Sequence, residues 1–141
     1  MESTDVLVIG SGIAGLCAAI EAAHTGTAVT VASAGKTMSG SSFFPGTWGL
    51  GLIGPVNEDD EQDLIDTIQT VGGGVADPEL VQTFVHGIPQ AIEWLEQDLC
   101  VELKRPQNAE SAQQNQFIPC FDHKTRMWRG LTRKPLEDAL T

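Results

Sequence analysis

The residues best suited to a defined chemistry are the three glycines in Gly10-Ser11-Gly12-Ile13-Ala14-Gly15, and that chemistry is the binding of a pyrophosphate. In G-x-G-x-x-G spacing each glycine has its own task. The first permits a tight turn, the second lets backbone approach phosphate oxygens, and the third lets a helix pack closely on a strand. The phosphates then lie at a helix N-terminus, where free N–H groups and the positive end of the helix dipole favour an anion. The spacing alone also describes a ligand-free turn, so the flanking elements decide. A β-branched run, Asp5-Val6-Leu7-Val8-Ile9, precedes the glycines, and a helix is predicted over residues 16–23. Gly26 stops that helix, and Ala28-Val29-Thr30-Val31-Ala32 forms the second strand. The whole is one βαβ unit of about 30 residues, the setting in which this motif binds dinucleotides.

At the end of the second strand a dinucleotide fold ordinarily places an Asp or Glu on the ribose hydroxyls. This sequence offers Ser33, Ala34 or Gly35 there. It has 19 acidic residues, yet none lies between Glu21 and Glu58. Ordinary NAD readout is therefore disfavoured, while a serine can still hydrogen-bond a ribose oxygen. Lys36 is the single cation in this gap; it suits either a phosphate or a solvated loop position. A second candidate segment follows at residues 39–51, Ser39-Gly40-Ser41-Ser42-Phe43-Phe44-Pro45-Gly46-Thr47-Trp48-Gly49-Leu50-Gly51. Such a long glycine- and hydroxyl-rich loop brings backbone donors close to a ligand. Phe43, Phe44 and Trp48 could wall a planar ring or pack against the core.

The elements that position these residues must come from 141 residues, enough for one domain with a core. A net charge of −11 opposes nucleic acid and anionic membrane surfaces. There is no apolar run of the ~20 residues needed to span a bilayer, and the acidic start is unlike a secretory signal. Cys17, Cys100 and Cys120 are odd in number and lack C-x-x-C spacing, so buried free thiols in a reducing cytoplasm are expected. The histidines, His24, His86 and His123, show no metal-ligand spacing.

A helix is predicted over residues 59–71, with an acidic first turn and Leu64, Ile65, Ile68 and Val71 on one face. Gly72-Gly73-Gly74 ends it. Asp77 then caps a helix with Pro78 at its first position, followed by the apolar stripe Leu80, Val81, Phe84, Val85 and Ile88. Pro89 interrupts, and a further helical stretch carries Ile92, Trp94, Leu95 and Leu99. Phe117-Ile118-Pro119-Cys120-Phe121 reads as a short strand. A basic segment follows with His123, Lys124, Arg126, Arg129, Arg133 and Lys134. It suits an anionic ligand or compensates the acidic helices. The last residues, from Pro135 to Thr141, look like a helix whose end is cut off.

Taken together these residues resemble the flavoprotein family that includes L-aspartate oxidase and the flavoprotein subunits of fumarate reductase and succinate dehydrogenase. The likeness rests on the opening strand with its glycines, the strand ending in Ser33, Gly40-Ser41-Ser42-Phe43, and Gly74-Val75-Ala76-Asp77-Pro78-Glu79 continuing to Ala91-Ile92-Glu93-Trp94-Leu95. Arg133, Leu136, Ala139 and Leu140 are similar to the start of the family's next helix. The resemblance implies an α/β, Rossmann-type FAD-binding fold with a parallel sheet. It covers only the N-terminal part of that domain, with a helical insertion at about 58–99 and no capping or substrate domain. It implies FAD, with the pyrophosphate at Gly10, Ser11, Gly12, Ala14 and Gly15 and the adenosine side near Ser33 and Lys36. The flavin is implied along Gly40, Ser41, Ser42, Thr47, Gly49 and Gly51. Members with covalent FAD use a histidine where this chain resembles them at Ser41, so non-covalent binding is implied.

Two departures stand out. The family's Gln-Gly-Gly is replaced by Gly46-Thr47-Trp48, and its His-Ser-x-Arg pattern by Asp122-His123-Lys124-Thr125-Arg126. Dicarboxylate specificity is thereby put in doubt, and no catalytic residue is assigned; His123 and Arg126 are the only candidates. The implied activity is hydride transfer in a full enzyme acting on a dicarboxylate-like small molecule, with the present chain incomplete alone. Two other readings stay open: a non-catalytic nucleotide-binding module, with NADP read through Lys36, or an interaction and oligomerisation domain that has lost the flavin. Either could involve self-association or a complementing subunit.

Overall fold

The computed structural model describes residues 3–44, 50–108, 124 and 126–141. The chain divides into two compact units, one formed by Met1–Leu50 with Thr132–Thr141 and the other by Gly51–Leu131.

The first unit begins with strand β1 (Val6–Ile9), helix α1 (Ile13–His24) and strand β2 (Val29–Ala32). The two strands pair in parallel, with Val6 opposite Val29 and Ile9 opposite Ala32. That parallel βαβ unit places the fold in the α/β class. The start is tied down locally, since Asp5 N donates to the Ala28 carbonyl at 2.9 Å and Ala28 N to the Asp5 carboxylate at 3.1 Å. Leu16 and Ala19 bury the inner face of α1. The helix ends as its composition dictates: Gly26 takes φ +79, a left-handed stop that only glycine adopts without strain. After β2 a short 3-10 turn covers Ser41–Phe43. Of the two roles open to Phe43, the structure favours packing: it is 1% exposed and belongs to the core, while Phe44 is exposed. The unit closes with α4 (Arg133–Ala139), held by buried Leu136 and followed by buried Leu140.

The second unit holds strand β3 (Leu50–Gly54), helices α2 (Glu58–Val71) and α3 (Pro78–Gln97), and strand β4 (Met127–Leu131), with β3 and β4 paired. Asn57 caps α2 by accepting from Asp60 N at 3.0 Å, and four acids occupy the first turn, where the helix dipole favours them. Asp77 caps α3 through Glu79 N and Leu80 N at 2.9 and 3.1 Å. Leu64 and Ile65 of α2 pack with Val81, Val85 and Ile88 of α3. Of the expected α3 stripe, Leu80 and Phe84 are instead exposed, because Val81, Val85 and Ile88 define the buried face one position round the helix.

Pro89 does not interrupt α3, contrary to the sequence expectation. It costs the helix one backbone hydrogen bond. The buried stripe runs through Val81, Val85 and Ile88 on one side of it and Ile92 on the other, so packing carries the helix across. Cys100 is exposed, which corrects the expectation of a buried thiol there. The strand expected at residues 117–121 and the third cysteine, Cys120, lie outside the described residues.

Candidate functional site

The glycine turn folds as its spacing requires. Gly10 sits at φ +111, a region that disfavours any side chain, and its N–H donates to the Ala32 carbonyl at 2.7 Å, tying the turn to β2. A Cβ built on Gly15 would run into the Gly10 carbonyl oxygen and lie 3.4 Å from Val8 Cγ1. The third glycine therefore sets the close approach of α1 to β1. Gly12 is the N-cap of α1 and supplies no side-chain cap. No side chain competes for the first N–H groups of α1, which remain available to an anion.

Gly40 closes the other side. A Cβ on Gly40 would lie 3.1 Å from Gly12 Cα, tighter than ordinary contact, so a side chain here would press on the backbone of the turn. Phe43 N donates to the Gly40 carbonyl at 2.9 Å and fixes the Ser41–Phe43 turn beside it. The result is a cavity of about 310 Å³ lined by Gly10, Gly12, Ala14 and Gly15 from the turn and by Gly40, Ser41 and Ser42 from the loop. Its volume is at the low end of the range for small-molecule sites.

Ser11 faces the other way. It is buried, its Oγ donates to Ser33 Oγ at 2.8 Å, and its carbonyl accepts from Met38 N at 3.1 Å. The end of β2 is thereby joined to the glycine turn. A second cavity, of about 410 Å³, is lined by Ser11, Ser33, Thr37 and Thr141 and by apolar residues of α1 and β2. Met38 at φ +60 belongs to this wall and was not singled out by sequence reasoning. No periodicity marks it. Lys36 is exposed and forms no ion pair among the described residues.

The remaining candidates fall elsewhere. Gly51 belongs to β3, where a Cβ would come within 2.9 Å of Trp128 Nε1, so packing against the indole accounts for that glycine. Thr47 and Gly49 lie outside the described residues, as do Trp48 and His123. Arg126 is fully buried and donates to Asp60, to Asp63 at 2.8 Å and to Thr67 at 3.4 Å. Lys124 pairs with Asp63 at 2.7 Å. The hydrogen bond from Lys124, and next that from Arg126, hold the Asp63 carboxyl below its ordinary pKa. Arg133 pairs with Glu137 and Lys134 with Asp138. Lys124, Arg126, Arg133 and Lys134 thus compensate acids of the helices, and Arg126 is committed to structure rather than to catalysis.

Burial pushes the Cys17 thiol up from its usual value, which leaves it protonated and unreactive at neutral pH. Among the described residues no group of three or more His, Cys, Asp or Glu is placed to hold a metal ion. Among them also, no helix is long and apolar enough to cross a membrane.

Comparison with known proteins bears on the fold and the family. An L-aspartate oxidase from Halobacterium salinarum is 41% identical over 91 residues, 64% of this chain and 17% of that protein. An NADH:fumarate oxidoreductase from Klebsiella pneumoniae is 33% identical over 101 residues, 67% of this chain and 11% of the relative. The chain therefore spans less than a fifth of the length of these relatives. An open-conformation flavocytochrome c3 fumarate reductase superposes with a TM-score of 0.69 at 23% identity, covering 99% of this chain and 24% of that one, and so shares the fold. Residues 5–138 match the FAD binding domain family, to which this chain belongs, with FAD as the family's cofactor.

Proposed function

We propose that this chain is the FAD-binding portion of a flavin-dependent oxidoreductase of the fumarate reductase and L-aspartate oxidase type. One observation carries the reading: Gly40 closes on Gly12 at the N-terminus of α1, where no side chain caps the helix. This cradle fits a pyrophosphate by its donor chemistry, since the uncapped first turn of α1 lines it and no carboxylate does. In this reading Gly10, Gly12, Ala14 and Gly15 hold the phosphates, with Ser11 in the same turn. Ser33 meets the adenosine ribose, with Lys36 nearby. Gly40, Ser41 and Ser42 approach the flavin. Ser41 offers a hydroxyl where covalent attachment would need a stronger nucleophile, so binding is non-covalent.

Bound flavin supplies hydride transfer between a substrate and an acceptor; the protein binds and orients it. The relatives named for aspartate and fumarate point to a small dicarboxylate as the substrate of the whole enzyme. The residues described here do not supply a complete catalytic set.

FAD titration of the chain and of Gly12→Val tests the placement. A Cβ on Gly12 would sit 3.8 Å from Gly40 Cα, so Gly12→Ala fits the fold, whereas the extra methyls of valine fill the cradle. Saturable binding by wild type that Gly12→Val abolishes, with its helical content unchanged, supports the reading. Equal affinity in wild type and Gly12→Val refutes it.

A further inference from the structure

The hydrogen bond between Ser11 and Ser33 has a consequence for ligand recognition, one that rests on the FAD reading above. Ser11 and Arg126 are the two buried polar side chains among the described residues. A buried hydroxyl without a partner is costly, and Ser11 finds its partner in Ser33, 22 positions along the chain and 2.8 Å away. A serine oxygen has two lone pairs and one proton. At Ser33 one lone pair accepts from Ser11, and the Gly35 N–H approaches the same oxygen at 3.5 Å. What Ser33 has left to offer a ligand is its own proton. A carboxylate at the end of β2 would accept hydrogen bonds from ribose hydroxyls. Ser33, held in this way, donates one.

We propose that Ser11 is a positioning residue: it fixes the Ser33 hydroxyl so that Ser33 donates its proton to a ribose oxygen of the bound dinucleotide. The same bond couples the phosphate-binding turn to the ribose contact, because Ser11 lies between Gly10 and Gly12. Ser11 does not itself touch the ribose; it acts through Ser33. Losing either member then removes one and the same ligand hydrogen bond.

The test measures affinity for FAD, for ADP and for the dideoxyribose analogue of ADP in wild type, Ser11→Ala, Ser33→Ala and the double variant. Ser33→Ala is expected to weaken FAD and ADP about 3- to 10-fold, the range for one neutral hydrogen bond. Ser11→Ala loses most of that factor, and the double variant binds no more weakly than Ser33→Ala alone. The dideoxy analogue binds all four proteins equally. Additive losses, or an Ser11→Ala defect as large for the dideoxy analogue as for ADP, would overturn the proposal by showing that Ser11 acts through the phosphate turn. A double-variant cycle on thermal unfolding without ligand separates the two layers of the argument. Absent coupling there overturns the Ser11–Ser33 link even if FAD binds. Coupling without binding of FAD or ADP by the wild type overturns the FAD reading, and the ribose contact with it.

Discussion

The two units of this chain achieve order by opposite means. The first is set by what is missing: Gly10, Gly15 and Gly40 stand where a side chain would be strained or would strike backbone. It leaves Leu7, Ile9 and Val31 of its sheet exposed. The second is set by what fills it, with Leu64, Ile65, Val81, Val85 and Ile88 packed together and the fully buried Arg126 bound to acids of α2. The unit built on close backbone approach leaves the first turn of α1 without a side-chain cap. In the one built on packed side chains, Lys124 and Arg126 are used on the acids of α2.

The largest expected effect comes from filling the glycine contact. Gly15→Val drives a side chain into the Gly10 carbonyl, and neither atom can yield without moving α1 or the turn. We expect a loss of about 3 kcal/mol or more in denaturant unfolding, together with loss of FAD binding. If the variant keeps wild-type stability, the close helix–strand approach does not set the first unit. Arg126→Ala is the matching change in the second unit. It leaves Asp60 and Asp63 without their buried partner and should cost about 3 kcal/mol, the low end for a broken buried pair because Asp63 is half-exposed. FAD affinity should be unchanged. A large loss of FAD affinity with little change in stability would move Arg126 back among the ligand-binding residues.

The first unit was legible in the sequence because its signals are local. Glycine spacing, the β-branched runs and Gly26 each state a backbone requirement within a few residues. Ser33 was found by position, but its bond to Ser11 was not, since nothing local links two serines 22 residues apart. In the second unit the caps at Asp77 and the acidic start of α2 were readable. The continuity of α3 through Pro89 was not, because tertiary packing of Ile88 and Ile92 outweighs one missing backbone bond. The fate of Lys124 and Arg126 was similarly hidden. Their partners lie some 60 positions earlier in the chain, and charge alone cannot separate a clamp from a ligand site.

A smaller effect distinguishes the second unit by pH. Lys124, and after it Arg126, hold Asp63 below its ordinary pKa in the folded chain. A carboxylate depressed in this way adds stability above its unfolded pKa and loses it as pH falls through the folded value. The contribution is complete at neutral pH and fades below about 4. Acid unfolding followed by helical circular dichroism should show a shallower decline in Asp63→Asn than in wild type. Parallel curves for the two would remove Asp63 from the acid response.

The central claim is that FAD binds at the glycine turn of the first unit. An isotope-labelled amide spectrum of the chain, recorded as FAD is added, tests it most directly. The account predicts large, saturable shifts at Gly12, Ile13, Ala14, Gly15 and Gly40, with the amides of α2 and α3 little changed. Shifts confined to the second unit, or a spectrum indifferent to FAD, would contradict it.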